Sequence, residues 1–167
     1  NKLIFLLIII IIVSIISGTH IESYIDYEDN DVILIDRTKS DYQSIELVRN
    51  NEEDYCLMLN KQIQNHTGGF NKTHYTMVDV SIQIARASVS SILILGGGDG
   101  YPAMRALKYT DNVTNVEIDD KLVNFVKTNN IMIKNTENAL NNPNLEIITE
   151  DAYKFIKNNK NKYFKFT

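Results

Sequence analysis

Residues 92–100 read Ile-Leu-Ile-Leu-Gly-Gly-Gly-Asp-Gly, so four of the chain's seven glycines fall within five positions directly behind an aliphatic run. Ile92–Leu95 predicts a strand buried on both faces, as in a parallel sheet. The glycines predict the turn after it, because a residue without Cβ lets the backbone turn sharply and lets a ligand come close. A helix just beyond would aim its free N–H groups into the gap. The segment therefore reads as a nucleotide or nucleoside cradle, the alternative being an ordinary strand-to-helix turn.

The downstream pattern supports the cradle. Ala103, Met104, Ala106 and Leu107 give Tyr101–Tyr109 helical spacing, with Pro102 near the start, where a helix tolerates it. Val113–Ile118 predicts a second strand, Lys121–Lys127 a second helix, Leu145–Ile148 a third strand and Tyr153–Lys157 a short third helix. The asparagine-rich stretch Asn124–Asn144, with Pro143, predicts a helix end and a loop. A β-α-β-α-β-α order is the first half of a doubly wound sheet, and right-handed crossovers put all its strand ends on one edge.

Two acids fall on that edge. Glu117 ends the second strand about twenty residues after the glycines, where an acid accepts hydrogen bonds from ribose hydroxyls. Asp151 ends the third strand, within reach of an adenine amino group; a helix cap is the alternative for both. The ligand stays open at this point, since NAD-linked and S-adenosylmethionine-type enzymes share these features. The spacing Gly96-x-Gly98-x-Gly100 departs from the dinucleotide fingerprint. Asp99 would repel a pyrophosphate and suits a cationic ligand such as a sulfonium or an amine.

Upstream, Asp31–Ile35, Gln43–Val48 and Tyr55–Leu59 are short β-like runs separated by turn residues, a small antiparallel unit outside the αβ repeat. It contains Ser40-Asp41-Tyr42-Gln43-Ser44-Ile45, then 57–64 (Leu-Met-Leu-Asn-Lys-Gln-Ile-Gln), then Thr73-His74-Tyr75. Together with Gly96-Gly97-Gly98-Asp99-Gly100, Val116-Glu117-Ile118-Asp119 and Asp151-Ala152, these motifs resemble the spermidine/spermine synthase family of polyamine aminopropyltransferases in order and spacing from about Asp31 to Tyr163.

The resemblance implies aminopropyl transfer from decarboxylated S-adenosylmethionine, as co-substrate, to putrescine or a related amine, with no permanently bound cofactor. By match to the family motifs, Gln43, Gly96, Gly98, Glu117, Asp151 and Ala152 would hold the nucleoside, and His74 and Asp99 would lie on the amine side. The family's homodimer would be expected of the full-length protein. The sequence departs from the family at Tyr75, where a glutamate is the pattern, and it stops at Thr167, before the Asp-rich motif that carries the proton-accepting acid. The expectation is an α/β fold: a small antiparallel β unit followed by an incomplete first half of a Rossmann-like parallel sheet of the methyltransferase type. The chain would divide into a hydrophobic segment 1–18, a β unit 19–75 and a nucleoside-binding part 76–167. Such a piece is expected to be inactive alone. A methyltransferase and a non-catalytic, membrane-tethered remnant are the alternatives.

Leu3–Ile16 is apolar apart from Ser14. It is short of the roughly 20 residues that span a bilayer, yet long enough for a signal-peptide core. It suggests membrane association through residues 3–16 or secretion, and a cytoplasmic address if the segment does not function. A net charge of −4 leaves no nucleic-acid footprint. No metal is expected: the spacing shows no ligand cluster, and the single cysteine, Cys56, cannot form one alone.

Overall fold

The computed structural model describes residues 32–50, 54–67, 72–85 and 89–163. It contains two sheets. Strands β1 (Ile33–Lys39), β2 (Ser44–Arg49), β3 (Tyr55–Leu59) and β4 (Gln62–His66) form an antiparallel meander in the order β1-β2-β3-β4. Strands β5 (Ile92–Leu95), β6 (Val113–Glu117) and β7 (Leu145–Thr149) form a parallel sheet in the order β5-β6-β7. The fold is therefore α/β, with the expected antiparallel unit followed by the expected three-stranded parallel sheet.

The meander is set by its turns. Ser40 folds the β1–β2 connection back on itself: its Oγ accepts from the Tyr42 and Gln43 amides at 3.1 and 3.0 Å. Between β3 and β4, Asn60 and Lys61 both take positive φ, as a two-residue hairpin turn requires. The Asn60 amide donates to the Ser44 carbonyl, and its Oδ1 accepts from the Ser44 N–H, both at 3.0 Å.

In the parallel sheet the central strand β6 is buried at all five positions. Helices α3 (Tyr101–Ala106), α4 (Asp120–Thr128) and α6 (Ala152–Tyr163) follow the three strands in turn. Leu122, Val123, Phe125 and Val126 put the apolar stripe of α4 inward. One apolar cluster joins Ile45, Leu47 and Leu57 of the meander to Ile94, Val113 and Val126, so the two sheets share a core.

Three features depart from the sequence expectation. Gln62–His66 is a fourth strand, although its polar sequence carries no apolar alternation; its pairing with β3 supplies what the pattern lacks. Residues 72–85 are helical as α1 (Lys72–Tyr75), a π-helical turn (Thr76–Val80) and α2 (Ser81–Ala85). The asparagine-rich stretch holds a further helix, α5 (Asn130–Asn135), then a 3₁₀ turn (Ala139–Asn141). Asn129 starts α5 by accepting from the Ile131 and Met132 amides, since asparagine is a poor helix interior residue but a strong N-cap.

The membrane-associated or secretory address is corrected. Among the described residues no helix is long and apolar enough to cross a membrane. Residues 3–16, which carried that expectation, lie outside the described residues.

Candidate functional site

The glycine loop is shaped by β6 beneath it. Gly96 and Gly100 take φ of +77° and +82°, which favours glycine at both. Asn115, fully buried on β6, grips Gly97 twice: its Oδ1 accepts the Gly97 N–H at 3.2 Å and its Nδ2 donates to the Gly97 carbonyl at 3.0 Å. A Cβ on Gly97 would lie 2.6 Å from Ile94 Cγ2 and 2.7 Å from Asn115 Oδ1. The Gly98 N–H donates to Glu117 Oε2 at 3.0 Å, and the Asp119 N–H donates to Glu117 Oε1 at 3.0 Å. Two backbone donors thus fix the Glu117 carboxylate at the tip of β6.

Asp119, two residues on, joins the two sheets. It caps α4 by accepting from the Leu122 N–H. Its Oδ2 also accepts from Ser40 Oγ and Gln43 Nε2, both at 2.7 Å. The β1–β2 turn is thereby held over the β6 tip, with Gln43 close to the Glu117 loop. At the neighbouring tip the Glu150 N–H donates to the Glu117 carbonyl at 3.2 Å. Asp151 caps α6 through the Lys154 N–H at 2.8 Å, and Ala152 is the first residue of that helix.

On the other side of the loop, Asp99 faces the meander and the helical segment 72–85. Its Oδ2 accepts from Asn65 Nδ2 at 2.6 Å and lies 3.2 Å from His74 Nε2, and its Oδ1 accepts from the Tyr101 N–H at 3.1 Å. The His74 ring stacks on Tyr101 at 5.5 Å between centroids. Asp99, His74, Gln64 and Gly96 line a cavity of about 580 Å³, whose walls include Val78, Ile82, Ile94, Leu95 and Pro102. A carboxylate set among aliphatic walls suits a ligand with a cationic head and a hydrocarbon chain.

A second acid braces this wall. Asp79, on the π-helical turn, accepts from Arg105 Nε at 2.7 Å, from Arg105 Nη2, and from Tyr109 Oη at 2.6 Å. The Arg105 hydrogen bond holds the Asp79 carboxyl below the usual carboxylate range and raises the Arg105 guanidinium in return.

The structure thus brings His74, Asp99 and Gly96 to one cavity. Gly98 and Glu117 are bonded to each other at the tip of β6, outside the lining of that cavity; Gln43, Asp151 and Ala152 lie around the adjoining strand tips. Sequence reasoning did not select Asn65, Gln64, Asn115 or Asp119. Asn115 carried a signal, being an amide in the middle of a strand predicted to be buried. Asn65 carried none, because only the β3–β4 register shows which way it faces. The hairpin also gathers Asp54, Cys56 and His66, with ligand atoms all within 4.8 Å of one another.

Residues 66–166 match the sequence profile of the spermine/spermidine synthase domain. The polyamine aminopropyltransferase 2 of Aquifex aeolicus is 35% identical over 123 residues, covering 73% of this chain and 24% of that protein. The polyamine aminopropyltransferase of Sulfurisphaera tokodaii is 32% identical over 149 residues, covering 86% of this chain and 49% of that protein. The chain therefore spans between about a quarter and a half of the length of these relatives. Among solved structures, spermidine synthase from Thermotoga maritima superposes with a TM-score of 0.67 at 20% identity, covering 75% of this chain and 42% of that one. A spermidine synthase in complex with the transition state analogue AdoDATO gives 0.67 at 17% identity. Both are likenesses of fold.

Proposed function

Because the chain belongs to the spermine/spermidine synthase family, we propose that it forms the nucleoside- and amine-binding part of a polyamine aminopropyltransferase, acting on decarboxylated S-adenosylmethionine and a small aliphatic amine. The observation that carries this reading is the Asp99 carboxylate, set beside His74 in an aliphatic-walled cavity and one residue beyond the amide that orients Glu117. In this reading the nucleoside lies over 96–98 and the strand tips. Glu117 accepts from the ribose hydroxyls, Asp151 and Ala152 flank the adenine, and Gln43 closes from the meander. In this reading the chain divides into the β unit of 19–75 and the nucleoside-binding part of 76–167.

This arrangement supplies binding and positioning, and the transfer needs in addition a carboxylate that takes the proton of the attacking amine. A sulfonium is already an activated leaving group, so attack on its neighbouring carbon requires a neutral amine held in line. Free alkylamines carry a proton near pH 7, with pKa values of about 10, like lysine. Asp99 binds the ammonium end of the incoming amine and orients it, while the aliphatic wall holds its methylenes and excludes water. The rate gain comes mainly from positioning.

The test is ligand stabilisation. Methylthioadenosine, the nucleoside product of such a transfer, should raise the melting temperature of the chain, and Glu117→Ala should abolish the rise. Asp99→Asn should leave the nucleoside effect intact and weaken the additional stabilisation by putrescine. No shift with methylthioadenosine in the unaltered chain refutes the nucleoside site. An equal response of Asp99→Asn and unaltered chain to putrescine refutes the amine assignment.

A further inference from the structure

We infer that Asp54, Cys56 and His66 form a binding site for a single zinc-type divalent ion at the open end of the β3–β4 hairpin. Cys56 and His66 are directly paired across the two strands, and Asp54 precedes β3 by one residue. Cys56 Sγ lies 3.1 Å from His66 Nδ1, and Asp54 Oδ2 lies 3.2 Å from the same nitrogen.

That convergence decides between two readings of a Cys-His-Asp group. In a nucleophilic relay the histidine uses both ring nitrogens, one toward the thiol and one toward the acid. Here thiol and carboxylate both address Nδ1, so His66 cannot pass a proton from one to the other. A thiol, an imidazole and a carboxylate whose ligand atoms all lie within 4.8 Å of one another are instead the surroundings of an ion. Tetrahedral zinc with ligands at roughly 2.0–2.3 Å sets them about 3.3–3.7 Å apart, a few tenths of an ångström wider than the two separations to His66 Nδ1. A thiolate, an imidazole and a carboxylate together suit zinc better than magnesium or calcium.

A further feature fits an ion. Thr67 Oγ1 donates to Asp54 Oδ1 at 3.0 Å and itself accepts from the Tyr55 N–H at 2.9 Å. The carboxylate is thereby oriented by an outer partner, leaving Oδ2 toward the histidine. Three protein ligands leave the fourth position of zinc to water. Binding converts the thiol to a thiolate and releases its proton to solvent, while neutral His66 donates its Nδ1 lone pair and Asp54 remains ionised.

The experiment is calorimetric titration of the metal-free chain with zinc chloride, repeated in two buffers of different ionisation heat, and cobalt substitution followed by absorbance. One ion per chain, release of a proton, and a sulfur-to-cobalt charge-transfer band are expected. Cys56→Ser should abolish the band. His66→Ala, at a half-exposed position that the core does not need, should weaken zinc by at least about tenfold, since even loss of an outer partner costs metal sites roughly 10–100-fold. Absence of stoichiometric binding, or binding unchanged in folded His66→Ala, overturns the inference.

Discussion

Glu117→Gln is the sharpest test of how the site is built. The carboxylate accepts one backbone N–H on each oxygen, from Gly98 and from Asp119, both buried. A hydrogen bond to a charged acceptor contributes about 1.5–3 kcal/mol. Glutamine keeps one carbonyl oxygen, so one bond survives in neutral form. Its NH₂ must face the other backbone N–H, donor against donor. The expected cost is about 2–3 kcal/mol. Glu117→Ala removes both acceptors and should cost about twice as much, a large share of the roughly 5–15 kcal/mol that holds a domain together. Urea unfolding is the assay. With a slope of about 1–3 kcal/mol per molar, the glutamine midpoint should fall by about 1 M with the slope unchanged. A glutamine variant within about 0.5 kcal/mol of the parent, or an alanine variant no worse than the glutamine one, refutes the two-donor geometry. The effect of methylthioadenosine on Glu117→Ala is therefore read against that variant's own ligand-free melting temperature.

Gly97→Ala should cost about 1–3 kcal/mol by overpacking against Ile94 and Asn115, and a melting temperature equal to the parent's would contradict the tight fit. Asp79 has a folded pKa below its unfolded value of about 3.9, so its pairing with Arg105 stabilises above that pH and is lost as pH falls through the folded value. Asp79→Asn should cost about 2–3 kcal/mol at pH 7, less than a fully buried pair because Arg105 is partly solvated. It should also flatten the stability profile below about pH 4; a profile parallel to the parent's would refute the assignment. With its thiol pushed up to about 11, Cys56 in the metal-free native chain should react slowly with iodoacetamide at pH 8 and rapidly once unfolded. Equal rates would show that it is not held as described.

The parallel half of the fold was legible because its signals are local. An aliphatic run followed by glycines, then helical spacing, announces strand, turn and helix within a dozen residues, and β5, β6 and β7 lie where those signals fall. Glu117 and Asp151 were legible as strand-tip acids for the same reason. The meander was legible only in part. Positions 45–48 of β2 are all buried, so no alternation shows a face, and β4 reads as polar chain until its pairing is known. The helical segment 72–85 was hidden because its π-helical turn breaks the regular period and Thr76, Val78 and Val80 favour strand on propensity. Asn65 and the Asp54–Cys56–His66 group depend on hairpin register, a relation between residues eight or more apart that spacing alone does not encode. Asp119 was visible as a motif member, but its bond to Gln43 crosses 76 positions.

Four glycines in five residues would ordinarily make a floppy hinge. Here Asn115 behaves like one more strand neighbour, clamping Gly97 at both its donor and its acceptor, and Glu117 secures the next amide. The freedom glycine brings is spent in the unfolded chain and withdrawn on folding. A guest arriving at this loop meets a rigid mould and loses little affinity to ordering it, so capture should run at the pace of encounter rather than of loop closure.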